Sequence, residues 1–349
     1  MKNKEQLPCM EKYLIPNYYE ILKFGGTSVR DEEEEIQRMM EYFPGCFTKE
    51  QLRENRKRYN TQTIFRLVKK YFAQEYGYAG SAIELSSGYQ NTINSYIYKN
   101  EETETFLLHV DELFESTVMT FFLAMLKWSK DMHNPDVYGG CFIYILYLLN
   151  DVCIFGEMQG LNANQALMEA VNGDVQILQL AEDCYWTVVA FTLAHEVAHT
   201  YLASVGKVYS REHPEKEEFD ADAIAYHIVL KIIMEETGED VVLEDYACMA
   251  PIMYMDFFDL YYYTDRVLYG TMIGDTDHPP IQKRKENLFA IINKEEYDFN
   301  NIEANHLYSG FLDAYDEYRT QLLLKKHKGK LEKICRTGKR EQMKRGDQL

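Results

Sequence analysis

Apolar side chains recur at intervals of three and four residues along most of the chain, which is the spacing of one face of an α-helix. Before residue 77 this pattern predicts helices over residues 30–43 and 49–76, and Pro44-Gly45 ends the first. After residue 110 helical patterns dominate, and Gly206 ends one of them as a C-terminal capping residue. The expected fold class is therefore mainly α. The helices expected there span residues 111–130, 138–155, 162–171, 174–205, 215–236, 244–270, 280–293 and 303–334.

Between these two helical regions the pattern changes to alternation of apolar and polar residues. Short alternating runs lie at residues 82–86, 93–98 and 105–109, separated by turn-forming pairs such as Ser87-Gly88. These runs predict three strands, which we expect to form a small antiparallel β-meander.

Length and pattern together suggest how the chain is divided. Its 349 residues are enough for about two domains of roughly 150 residues each. Glycines interrupt the helical pattern after residue 76, so we expect a helical N-terminal region of unknown role at 1–76 and a main domain at 77–324. A basic tail follows at 325–349, where residues 325–345 carry ten Lys/Arg and two Glu. Such a tail could bind nucleic acid or an acidic partner or dock on the acidic body, but a solvated, fraying helix end is the commonest explanation.

The remaining composition limits the partners and the compartment. A formal charge of −19 argues against nucleic acid as the main partner of the acidic body. Seven cysteines without a Cys-x-x-Cys spacing, and no apolar segment after Met1 of the kind found in signal peptides, predict a reducing, cytoplasmic location. The apolar stretches at 118–128 and 141–155 are shorter than the ~20 residues that span a bilayer, so no membrane contact is expected.

The most informative pattern for chemistry is His195-Glu196-Val197-Ala198-His199. Two histidines four residues apart project from one face of a helix and can bind the same metal ion. The glutamate between them can reach a water molecule on that metal. We therefore predict a Zn²⁺ site that includes His195 and His199, with Glu196 as general base.

A catalytic zinc site takes three protein ligands, and a cluster of carboxylates offers the third. Glu218 and Asp222 are spaced i, i+4 on one helix face, so one can bind the metal while the other supports a ligand histidine. Glu217 and Asp220 lie in the same segment. The alternative is an acidic first turn that stabilises its own helix dipole.

With these residues in place, the chain resembles the gluzincin metallopeptidases, of which the thermolysin group is the best known. The resemblance implies that His195, His199 and Glu218 bind zinc and that Asp222 supports a histidine. Within this group the chain is most similar to soluble bacterial peptidases of the phage-exclusion (Lit) type. The resemblance covers about residues 185–290.

The same resemblance extends to the segment Asp277-His278-Pro279-Pro280 and to Arg284, because such peptidases often carry His-Pro and a later Arg near the substrate. We expect His278 to stabilise the oxyanion of the tetrahedral intermediate and Arg284 to bind substrate. An exposed loop histidine is the alternative for His278. In zinc peptidases an edge strand upstream of the metal-binding helix commonly holds extended substrate, and the predicted strands could do this or serve packing alone.

The expected activity is therefore that of a zinc-dependent endopeptidase acting on a protein or peptide. Two alternatives remain: an ImmA-like regulatory peptidase that cleaves a repressor, and a non-catalytic binding module that contains zinc as structure. The heptad at residues 23–29, KFGGTSV, resembles the phosphate loop of aspartokinases. The acidic residues that follow it would repel phosphate, and no alternating β-α pattern supports a kinase fold.

Overall fold

The computed structural model describes residues 32–58, 60–88, 95–100, 103–137, 139–142, 145–146, 149, 171, 173–209, 215–236, 241–269, 279–294 and 302–327. The mainly α fold with a small three-stranded sheet is confirmed. The principal elements of these residues are α1 (Glu32–Tyr42), α2 (Lys49–Arg58), α3 (Thr61–Tyr76), β1 (Ile83–Gly88), β2 (Ser95–Asn100), β3 (Thr105–Asp111), α4 (Glu112–Lys130), α5 (Val175–Ser204), α6 (Glu215–Glu236), α7 (Val241–Tyr269), α8 (Ile281–Lys294) and α9 (Ile302–His327).

The single helix expected over residues 49–76 is wrong, because the chain forms two helices there. Asn60 has an extended backbone, and its side chain accepts a hydrogen bond from the backbone N–H of Gln62, so it caps α3. At the other end Gly77 adopts φ 64° and its N–H donates to the carbonyl of Ala73. Periodicity alone did not reveal the break, because residues 53–63 contain a single apolar residue, Tyr59, and so carry almost no apolar pattern.

The sheet differs in topology from the expected meander. Its strand order is β1-β3-β2, with β1 parallel and β2 antiparallel to β3. The predicted antiparallel meander is therefore wrong, although its three strands are present. Alternation identifies which residues share a face of the sheet, but it does not determine which strand lies in the centre.

Helix α5 occupies the middle of the molecule. Its buried residues cover every side of the helix, and α3, α4, α6 and α7 pack against it. Asp174 caps its start by accepting from the N–H of Ile177, and Gly206 at φ 69° follows its end as expected. A long helix that is apolar all round is stable only when other elements surround it. The His195–His199 pattern therefore lies on the most enclosed of the described helices.

Two outer helices belong to the same hydrophobic core. Phe65 and Phe72 of α3 are buried with the side chains of α5, while α9 packs on α4 and α7 through Phe311 and Tyr318. In the described residues, α3 thus shares the core of the predicted main domain. The division at residue 76 stays a prediction.

Some expectations concern residues outside the described part of the chain. These include the heptad at 23–29, the helix at 162–171, much of the helix at 138–155, and the basic tail beyond residue 327. Among the described helices, none combines the length and the apolar character needed to cross a membrane.

Candidate metal centre

Helices α5 and α6 bring three potential ligands together. His195 and His199 lie one turn apart on α5, and Glu218 lies in the first turn of α6. The Nε2 atoms of the two histidines are 3.1 Å apart. Each of these atoms is 3.4 Å from an oxygen of Glu218. All three residues offer a ligand atom within 4.8 Å of the others, so they could hold one metal ion.

The spacing fits a small tetrahedral cation. Zinc–nitrogen bonds of ~2.0–2.1 Å at tetrahedral angles place two ligand nitrogens about 3.3 Å apart. The observed separation of 3.1 Å between the Nε2 atoms is close to this value. The imidazole planes are inclined by 84°, and both rings point their Nε2 atoms at the same place. Nitrogen and carboxylate ligands in this number are typical of catalytic zinc.

The other nitrogen of each ring faces a carboxylate. Nδ1 of His195 lies 2.9 Å from Oδ1 of Asp222, and Nδ1 of His199 donates to Oε1 of Glu217 at 3.1 Å. A carboxylate is an acceptor, so the hydrogen bond from Nδ1 of His199 leaves its Nε2 with a lone pair, whereas Nδ1 of His195 lies at ion-pair distance from Asp222 without forming a hydrogen bond. Two lone pairs at this distance repel each other unless a proton or a metal ion lies between them. This arrangement therefore favours a proton or a metal ion between the two Nε2 atoms.

Asp222 is itself held by a partly buried arginine. Arg284 of α8 donates from Nε to Oδ2 at 2.8 Å and from Nη2 to Oδ1 at 2.6 Å. The Asp222 side chain is fully buried, and that of Arg284 is 16 % exposed. Burial alone raises the pKa of Asp222, but Arg284 and then His195 outweigh it, so the net pKa is lowered. Asp222 therefore remains a carboxylate despite its burial.

The two histidines differ in proton affinity. Burial lowers the pKa of His195, but the carboxylates of Asp222 and Glu218 raise it to about 9. For His199, burial and the charge on His195 lower the pKa. A single proton, carried by His195, thus relieves the repulsion between the facing nitrogens when no metal is bound.

Glu196 lies between the two histidines on α5 and is partly exposed. The negative charge of Glu196 contributes to the pKa of Tyr254 on α7. Burial raises the pKa of that phenol, and the charge on Glu196 adds to this, whereas Arg284 opposes it. The charges of Glu196 and Arg284 thus act in opposite directions on Tyr254. Tyr254 carried no signal in the sequence, because only the packing of α7 on α5 brings it here.

Two neighbouring acidic residues have roles that spacing did not distinguish. Asp220, one of the possible third ligands, instead accepts from Tyr209 at 2.8 Å and pairs with Lys207. Glu217, another possible third ligand that could alternatively belong to an acidic first turn, instead contacts Nδ1 of His199. Its position directly before Glu218 was the available signal, but several orientations of α6 would satisfy the same spacing.

The predicted oxyanion residue His278 lies outside the described residues, which resume at Pro279. Pro279 is buried, and the carbonyl of Pro280 accepts from the N–H of Lys283 as α8 begins. Arg284 contacts Asp222 rather than an open surface. The roles of His278 in catalysis and of Arg284 in substrate binding stay predictions.

Comparison with protein families gives one result that bears on function. The family model described as Peptidase U49 matches residues 76–305, which is more than half of the chain and includes both α5 and α6. Searches of curated proteins and of solved structures gave no match to the chain.

Proposed function

The chain belongs to the Peptidase U49 family and is therefore a peptidase, and from this premise we propose that it is a zinc-dependent endopeptidase of the gluzincin kind. The observation that carries the proposal is the convergence of His195, His199 and Glu218 within 4.8 Å, with both imidazoles oriented from behind by carboxylates. A third ligand at this place leaves a fourth position for water, as catalytic zinc requires.

In this proposal His195, His199 and Glu218 hold the metal. Asp222 and Glu217 fix the orientation and the tautomer of the two imidazoles, which strengthens them as ligands. When bound, zinc would lower the pKa of its water toward ~7 and polarise the scissile carbonyl. The pairing of Arg284 with Asp222 favours a supporting role for this arginine over direct contact with substrate.

The proton transfers fall to Glu196. It accepts a proton from the attacking water and passes it to the leaving amine, a role in which a positioned carboxylate typically contributes ~10²-fold to 10⁴-fold in rate. We keep His278 as the proposed donor to the developing oxyanion. An amide at position 196 would preserve the volume of the side chain and remove only the proton acceptor.

Strand β2 is the proposed binding surface for an extended substrate. It packs against α5 and, within the described sheet, pairs with β3 along one side only. The other side of β2 can therefore accept a peptide strand through main-chain hydrogen bonds. Such binding recognises the main chain of the substrate more than its side chains, so it is compatible with a protein substrate. We do not expect nucleic acid or a membrane to contact the acidic body, and we propose a cytoplasmic location.

Two alternative functions differ from this proposal, one in the role of the zinc and the other in the substrate. A binding module with structural zinc has no need of Glu196, because structural sites are closed by four protein ligands. An ImmA-like repressor peptidase would use the same metal centre, and it differs from our proposal only in the substrate.

The decisive experiment compares Glu196→Gln with wild-type protein. We expect one zinc per chain in both, loss of new N-termini in a proteome treated with the variant, and an unchanged fold. Glu235→Gln, an exposed change on α6, serves as the matched control and should leave cleavage intact. Loss of zinc from the Glu196 variant would contradict its assignment as general base, and undiminished cleavage would contradict the mechanism.

A further inference from the structure

Helix α8 contacts the metal centre through α6 at two points. Arg284 pairs with Asp222 through two hydrogen bonds. Less than one turn further along, the side-chain amide of Asn287 donates to the carbonyl of Phe219 at 3.3 Å, directly beside Glu218. The position of α8 thus bears on Asp222, which orients His195, and on the segment that carries Glu218.

Lys285, the residue after Arg284 on α8, contacts α7 rather than α6. Lys285 forms an ion pair with Oδ1 of Asp256 on α7, and their side chains are 13 % and 4 % exposed. Tyr308 of α9 donates to the other oxygen of the same carboxylate at 3.2 Å. Asp256 therefore holds two helices at once. A buried carboxylate is stable only with its partners in place, so these contacts restrict where α8 and α9 can lie.

A second phenol on α9 makes a comparable contact that does not involve α8. Tyr315 donates to Asp259 of α7, two turns of α9 beyond Tyr308. No hydrogen bond or ion pair joins Asp259 to α8 in the part of the chain that the structure describes. The two tyrosines thus attach α9 to α7 in similar ways, but only the partner of Tyr308 is shared with α8.

We propose that Tyr308 and Lys285 are positioning residues for the metal centre, acting through Asp256, α8 and Arg284 on Asp222 and His195. The proposal rests on the proposed metal-binding function. Residues 284, 285 and 287 lie within one turn of a helix, so a displacement of Lys285 moves Arg284 and Asn287 with it. Tyr308 lies beyond residue 305, where the family match ends, so a residue outside the matched region would tune a site that lies within it.

The test compares Tyr308→Phe with Tyr315→Phe in the full chain. Both variants remove one hydroxyl from α9 and one hydrogen bond to a carboxylate of α7. We expect Tyr308→Phe to weaken zinc binding about threefold to tenfold, measured by competition with a chelator, since outer contacts of metal ligands commonly matter at this scale or above. Tyr315→Phe should bind zinc as the wild type does. Lys285→Met should show a larger loss than Tyr308→Phe.

A spectroscopic reading separates positioning from general stability. The visible absorption of bound Co²⁺ reports ligand geometry, and we expect it to change in Tyr308→Phe and to superimpose on the wild type in Tyr315→Phe. The thermal unfolding temperatures of the two metal-free variants should be lowered by similar small amounts. Equal zinc affinities and spectra in the two phenylalanine variants would overturn the proposal, whether both were altered or both unchanged. A wild-type protein that binds neither Zn²⁺ nor Co²⁺ would instead contradict the proposed function itself.

Discussion

The two histidines of the candidate metal centre each place Nδ1 near a carboxylate, but in very different surroundings. His195 faces Asp222, a fully buried carboxylate held by two hydrogen bonds from Arg284. His199 faces Glu217, whose side chain is 43 % exposed. Water can replace a lost partner at Glu217 but not at Asp222. Equivalent distances therefore do not imply equivalent energies, and the His195 side should dominate both stability and metal affinity.

The largest effect should be the loss of unfolding free energy when the buried Asp222 loses its partner Arg284. In Arg284→Met the charge of Asp222 stays buried without its guanidinium, and removal of one partner of such a pair costs about 3–5 kcal/mol. We expect the free energy of unfolding of the metal-free protein to fall by this amount in urea titrations. Lys207→Met breaks the exposed pair with Asp220 and should cost at most about 1 kcal/mol. Equal losses in the two variants would show that burial does not distinguish them.

The next effect contrasts the two supporting carboxylates directly. Asp222→Asn should weaken zinc binding by ~10-fold to 100-fold, because it removes the charge that orients His195 and strengthens it as a ligand. Glu217→Gln keeps an acceptor in a partly solvated position, so its effect should stay below about tenfold. Chelator competition at fixed pH measures both affinities, with Lys216→Gln, an exposed change in the same turn, as the control. A greater loss of zinc affinity in Glu217→Gln than in Asp222→Asn would contradict the expected dominance of the His195 side.

The smallest effect concerns the proton on His195. Its folded-state pKa is raised from 6.5 to about 9, so the proton stabilises the metal-free protein fully below pH 6.5 and this stabilisation is lost as pH rises through 9. The proton must leave when zinc binds, so affinity should rise roughly tenfold per pH unit across this window. Calorimetry in buffers of different ionisation enthalpy should detect release of about one proton per zinc at pH 7.

Asp222→Asn provides the control for this proton. Asp222 is the leading group that raises the pKa of His195, so the variant should release clearly less proton at pH 7 than the wild type. Identical proton release in both proteins would mean that the titrating group lies elsewhere.

The elements of the fold were predicted with unequal success. The helices expected at 111–130, 174–205 and 215–236 agree with α4, α5 and α6 to within about one residue at each end. The break at Asn60 was missed because an asparagine that caps a helix and one that continues it look alike in an apolar pattern. The strand order was missed because β3 pairs with β1, which is more than ten residues away in the chain.

The sequence by itself determined what lies within one helix. Four residues advance an α-helix by about one turn, so His195 and His199 had to share a face, as did Glu218 and Asp222. These relations are local and hold for any packing of the helices. They were sufficient to predict that His195 and His199 could hold one metal ion and that a carboxylate of the segment 217–222 could join them.

Only the tertiary structure decided which side chains meet between helices. The angle between α5 and α6 assigns Glu217 to His199 and leaves Asp220 to Lys207 and Tyr209. Arg284 and Asp222 are 62 positions apart, and their pairing depends on the place of α8 in a core shared by several helices. Sequence spacing contains no information on such contacts, because they result from the joint packing of apolar faces rather than from the period of any one helix.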